Sequence, residues 1–121
     1  MRTILFAALA ATELEAGQNT FRAGTKYDDL RIGERVNLAL TETPDQIIGQ
    51  AIVRGVVSDC LDILLAGHAQ NNHGVIAAGL TDGAYAIGDQ SAALKEILVG
   101  IYGPQEGHET FAAVYLDRIQ N

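Results

Sequence analysis

The sequence predicts one α+β domain: a small mixed sheet or partly closed β-barrel with two or three helices packed on its outside. Three observations predict it. Segments rich in Val, Ile and alternating apolar residues, at positions 36–40, 47–57 and 110–119, have strand character. Two others, beginning near Leu61 and Ser91, repeat apolar residues at helical spacing. A length of 121 residues, with 13 glycines against two prolines, suits one modest core joined by tight turns.

Residues 3–7 are expected as the first strand and residues 8–16 as a helix ended by Gly17, with Thr12 and Glu15 at capping-box spacing. Residues 19–22 form a short strand, and a loop then runs to Gly33. In residues 36–40, Val36, Leu38 and Leu40 share one face of the next strand, and Pro44 marks the following turn. The longest strand covers residues 47–57, loosened by Gly49 and Gly55. Ser58 or Asp59 is then expected to cap a helix whose Leu61, Leu64, Leu65 and His68 make a core-facing stripe. Residues 75–90 show no firm period and are expected to form a loop or strand-like excursion. Ser91 caps a second helix with Leu94, Ile97, Leu98 and Ile101 on one face, stopped by Gly103-Pro104 before a closing strand at 110–119.

Composition removes several function classes. The single cysteine, Cys60, excludes an intrachain disulfide and a multi-cysteine zinc site, and its apolar neighbours predict a buried small hydrophobe. Residues 1–35 carry five basic and five acidic side chains; residues 36–121 carry three and ten, which gives the whole net charge of −7. Counterion release on a long nucleic-acid duplex needs many cations, so that partner is disfavoured. Residues 1–17 imitate a secretory signal, but strand plus helix is the favoured assignment. No apolar run is long enough to cross a bilayer, so a cytoplasmic protein without a membrane partner is expected.

Four of the eight basic residues, Arg22, Lys26, Arg31 and Arg35, fall between positions 20 and 40. Such a cluster can hold an anionic or polar ligand, or it can form solvated ion pairs with Asp28, Asp29 and Glu34. Tyr27 can stack on a base or anchor the loop. By spacing, His68 is a packed histidine; neither it, His73 nor His108 has the helical spacing of a metal motif. Asn71, Asn72 and His73 can read a base edge or close a helix end. There is no Gly-rich phosphate loop, nucleophile elbow or paired-carboxylate motif.

The order of these segments resembles the ASCH family, a branch of the PUA-like fold. The resemblance is carried by Ala16-Gly17, Thr20-Phe21-Arg22, Ile32-Gly33-Glu34-Arg35-Val36, Ile48-Gly49-Gln50-Ala51-Ile52-Val53, His68-Ala69-Gln70 and Ile101-Tyr102-Gly103. It implies a cleft between barrel and helices, lined by a Gly-x-Lys-x-x-Glu-x-Arg motif. It also implies kinship with RNA-binding domains and with small amidohydrolases that deacetylate N4-acetylcytidine through a lysine, a threonine and a glutamate. Counted from Gly17, the family lysine falls on Gln18 or Asn19, and Thr20 and Arg22 take the threonine and arginine. A second register, from Gly24 through Lys26 and Asp29 to Arg31, matches the motif with aspartate for glutamate, but it leaves only one residue before Gly33, where the family has a longer excursion, and leaves Gly17 to Arg22 without a counterpart; the first is preferred. The family glutamate falls in Gln70-Asn71-Asn72-His73, which has no carboxylate.

The resemblance therefore implies a binding module for a nucleoside, nucleotide or short single-stranded RNA, without cofactor or metal. Thr20, Arg22 and Lys26 would supply polar and cationic contacts, Tyr27 a stacking surface and Asn72 the opposite wall, and Arg22→Ala would remove binding while leaving the fold intact. The alternative is an amidohydrolase of N4-acylated cytidine in which Lys26, assisted by Thr20, replaces the missing lysine; it requires Lys26 and a hydroxyl together in a cleft. A second alternative is an acidic protein-interaction module.

Overall fold

The computed structural model describes residues 1–6, 17–77 and 87–119. The expected helix at 8–16 and most of the loop expected at 75–90 lie outside them. The strands are β1 (Thr3–Phe6), β2 (Asn19–Ala23), β3 (Arg35–Leu40), β4 (Gly49–Cys60) and β5 (Thr110–Arg118). They form one sheet in the order β1-β3-β4-β5-β2, with β1 parallel to β3 and every other pair antiparallel. Consecutive strands β1 and β2 thus occupy opposite edges. The sheet is not closed by a ladder between them, so the architecture is mixed α+β with an open five-stranded sheet.

β5 explains how the core is divided. Successive side chains of a strand point to opposite faces. Ala112, Val114 and Leu116 join Ile4, Phe6, Val36, Leu38 and Val53 in one buried cluster. Phe111 and Ala113 join Leu61, Leu64, Leu65, Leu94 and Leu98 in a second, beneath the helices. A strand covered on both faces reads as a continuous apolar run, which is why residues 111–116 are so uniformly apolar. The long β4 starts two residues later than expected and runs on to Cys60, with a register shift between Val53 and Gly55.

The helices are α1 (Leu61–His68), a 3₁₀ turn (Ala69–Asn71), α2 (His73–Ala77) and α3 (Ile87–Tyr102). Neither predicted capping residue performs that task at α1. Ser58 instead donates to the Asp28 carboxylate at 2.5 Å. The leading N–H groups of α1 are taken by backbone carbonyls, Leu61 to Glu109 at 2.8 Å and Asp62 to Gly107 at 2.9 Å, which makes a side-chain cap unnecessary. Cys60, expected in the core, is half-buried at the strand–helix junction. α3 begins four residues before Ser91, whose hydroxyl donates to the Leu65 carbonyl at 2.9 Å and fastens α3 to α1. Gly103 ends α3 at a φ of 88°, its N–H returning to Val99. No helix among the described residues is long and apolar enough to cross a membrane.

Candidate functional site

Where β1 and β2 fail to pair, the structure opens into a cavity of about 400 Å³. Leu5 and Phe6 of β1 form one side; Thr20, Phe21 and Arg22 of β2 form another. Asn72 and His73 enter from the start of α2, and Leu94, Ile97, Leu98, Ile101 and Tyr102 form an apolar wall from α3. Strand geometry aims the polar pair. Thr20 and Arg22 are two residues apart and register with Val114 and Ala112, whose side chains belong to the sheet-interior cluster. Another opening, of about 330 Å³, is lined among the described residues by Ile47, Ile48, Gly49, Gln50 and Ile119, none of them ionisable.

The polar corner is a chain of three groups. Arg22 Nε donates to Thr20 Oγ1 at 3.2 Å, and that oxygen lies 3.2 Å from His73 Nε2. Arginine can only donate, so the hydroxyl accepts from Arg22 and has its own proton to offer a neutral imidazole. A second nitrogen of Arg22, Nη1, donates to the Leu5 carbonyl across the open edge. The guanidinium carbon stands 4.6 Å from the Phe6 ring centre, and Phe6 meets His73 edge-on at 5.8 Å.

Charge follows from burial. His73 is pushed down to about 4, mainly because burial penalises the imidazolium and also because Arg22 repels it. Burial also lowers the Arg22 pKa, while Tyr102 and Tyr27 act in the opposite sense; a guanidinium nonetheless stays protonated in water. At neutral pH the cavity therefore contains a cation and a neutral imidazole.

Of the residues singled out from the sequence, Thr20, Arg22 and Asn72 meet at this cavity, and Lys26 and Tyr27 do not. Tyr27 is 7% exposed and packs in the core with Leu30. Its ring carries the Arg2 guanidinium at 5.3 Å and the Lys26 ammonium at 5.5 Å, so it is a loop anchor, not a stacking platform in the cleft. Lys26 is exposed on that loop, and the Lys26-centred hydrolase has no geometric support. Arg31 and Arg35 are also exposed. Asp29 pairs with Arg2 instead of the neighbouring cations. Hence the four cations do not form one site. Arg22 also ties the two edge strands through its bond to the Leu5 carbonyl.

The first motif register is the one that reaches the cavity. Asn19, one of its two candidates for the lysine position, is fully buried; its amide donates to the His68 carbonyl at 3.0 Å and its oxygen accepts from Asn72 at 3.4 Å. The sequence offers His73 only as part of a polar trio that can read a base edge or close a helix end, and the α3 wall only as an apolar helix stripe. The polar run at 70–73 was the only local hint of His73, and no local pattern points from Ile97, Ile101 or Tyr102 to Thr20.

No family model matches the chain, and no curated protein matches it in sequence. Two solved structures do match in fold. An ASCH protein from Zymomonas mobilis aligns over 98% of this chain and 69% of its own, with a TM-score of 0.52 at 18% identity. The chain has the ASCH fold. A DUF984 protein from Enterococcus faecalis V583 aligns over 98% of this chain and 76% of its own, with a TM-score of 0.54 at 7% identity. Within this ASCH fold, the segment in which the resemblance places a glutamate delivers His73 to the threonine instead.

Proposed function

We propose that this ASCH-fold domain is a binding module for one small nucleoside or nucleotide, or the end of a short single-stranded RNA, in the cavity beside Arg22. The observation that carries the proposal is the Arg22–Thr20–His73 corner set into a largely apolar recess. Ligand sites have this composition: apolar walls for most of the contact and a few convergent polar groups for orientation, in volumes of roughly 300–1,000 Å³. The size suits a single small molecule, and the net charge of −7 opposes binding along a polyanion. Calorimetric titration with cytidine, the common nucleotides and short RNA oligomers tests this. Binding that is lost in Arg22→Gln and kept in Lys26→Ala is expected; binding lost only in Lys26→Ala would place the site elsewhere.

One observation favours a second proposal, amide hydrolysis. A hydroxyl and a neutral imidazole at 3.2 Å form a nucleophile–base pair, with a guanidinium beside the oxygen to stabilise its anion. His73 then takes the role once assigned to Lys26. Acetate release from N4-acetylcytidine that survives Lys26→Ala and disappears in both Thr20→Val and His73→Gln is the expected signature.

A further inference from the structure

Among the described residues, no carboxylate meets the cation of the cavity. Arg22 makes no ion pair among the described residues, and none of those that line the recess is an Asp or Glu. Its neighbours are neutral: the Thr20 hydroxyl, the Leu5 carbonyl, the Phe6 ring and His73. A half-buried cation among apolar side chains without a counter-charge is costly to hold. The protein nevertheless carries 15 acidic residues against eight basic ones, so acids are plentiful elsewhere.

The geometry of the guanidinium says what is unfilled. Arginine carries five N–H groups in a planar fork. Nε is committed to Thr20 and one N–H of Nη1 to Leu5. These bonds, with Phe6 lying against the ring of charge, fix the plane of the fork. Nη2 makes no bond among the described residues, and one of its protons with the remaining one on Nη1 can meet two oxygens of a carboxylate or phosphate.

We infer that the ligand of this cavity is an organic anion, held by two of its oxygens on the free edge of Arg22 with its uncharged body against the α3 wall of Ile97, Ile101 and Tyr102. This deepens the binding function proposed above: the anchor is the anionic group, so a nucleotide is preferred over its nucleoside. The shared chemistry is a monophosphate or monocarboxylate on a flat or apolar body.

The test compares ligand pairs that differ in the anion alone, by calorimetry at one ionic strength: cytidine 5′-monophosphate against cytidine, and benzoate against benzyl alcohol. A charge-assisted pair predicts a preference of about ten- to a hundredfold for the anion of a pair. That preference should vanish in Arg22→Gln and persist in Arg31→Gln, which removes the same charge from an exposed site. Comparison of the ligands on the unaltered protein decides the matter even where Arg22→Gln does not fold. Tighter binding of the nucleotide supports the anion anchor and the nucleotide ligand together. Preference for benzoate with both cytidine compounds silent keeps the anchor and overturns the nucleotide. Equal affinity for cytidine and its monophosphate overturns the anchor and leaves the nucleoside site. Silence from all four ligands overturns both.

Discussion

The Arg22 guanidinium on β2 donates to the backbone carbonyl of Leu5 on β1, so a side chain joins two edge strands that share no ladder. An edge strand exposes unpaired backbone groups, and here one of them is satisfied by a residue that also lines the candidate site. The tie between the edges and the proposed ligand contact therefore meet in one side chain.

Arg22→Met keeps the aliphatic stem and removes the fork. It should cost about 1.5–3 kcal/mol, the range for hydrogen bonds to a charged group, less whatever is regained by no longer holding an uncompensated cation. Urea unfolding monitored by circular dichroism gives the value. No change in midpoint would mean that the Leu5 bond does not hold the edges together.

Acid should weaken the fold through His73. Its folded-state pKa of about 4 lies below the ordinary histidine value of 6.5. Between those values the unfolded chain binds a proton that the folded chain refuses. The contribution is therefore complete above about pH 6.5 and is lost as pH falls toward 4, by at most about 3 kcal/mol. A nuclear magnetic resonance titration of the His73 ring checks the origin. In Arg22→Gln its pKa should rise, yet stay below the ordinary value, because burial is the larger cause. A midpoint at the ordinary value in the unaltered protein would contradict the burial.

Gly107→Ala should destabilise the α1 start. Gly107 has a φ of 109°, and an added Cβ would come within 2.2 Å of the Asp62 carboxylate. The Asp62 side chain can swing away, so the backbone strain dominates, at roughly 1–2 kcal/mol. Neighbouring Glu109 holds the same turn by accepting the Glu106 and Gly107 N–H groups, both at 2.7 Å. Thermal unfolding of the alanine variant measures the loss; an unchanged midpoint would show that the turn relaxes freely.

Tyr115→Phe removes the hydroxyl that lies 2.5 Å from His68 Nδ1. The ring packing against His68, edge-on at 5.6 Å, is retained. The hydroxyl also accepts from Asn71 Nδ2, at 3.5 Å and so weakly; the expected cost is about 1 kcal/mol, near that of one hydrogen bond, read from the same unfolding experiment. A loss as large as that of a core truncation would mean that the ring itself had moved.

Sequence by itself determined the elements and their buried sides. Leu61, Leu64 and Leu65 are buried as their helical spacing requires, and Leu94 and Leu98 pack beside them. β2, β3 and β5 lie within a residue or so of their predicted bounds. Period and β-branching are local properties of a chain, so a local pattern carries them. The same stripe on α3 also held Ile97 and Ile101, which are exposed at the cavity, at 40% and 59%: spacing says which residues share a face, not how far a partner covers it. Caps were misread for a related reason, because the N–H groups of α1 are met by backbone from the loop before β5, almost 50 residues away.

Only the tertiary structure decided the site. Thr20 and His73 are separated by 53 positions and meet because β2 is carried to the far edge of the sheet, beside β5 and under the helices. Lys26 and Tyr27, close to Arg22 in sequence, leave the cavity because the loop after β2 turns at Gly24 and buries the Tyr27 ring in the sheet interior. Contacts between distant segments are set by strand order and packing, which depend on the whole chain at once. A motif in one segment encodes the groups it can offer, and the fold chooses which of them face one another.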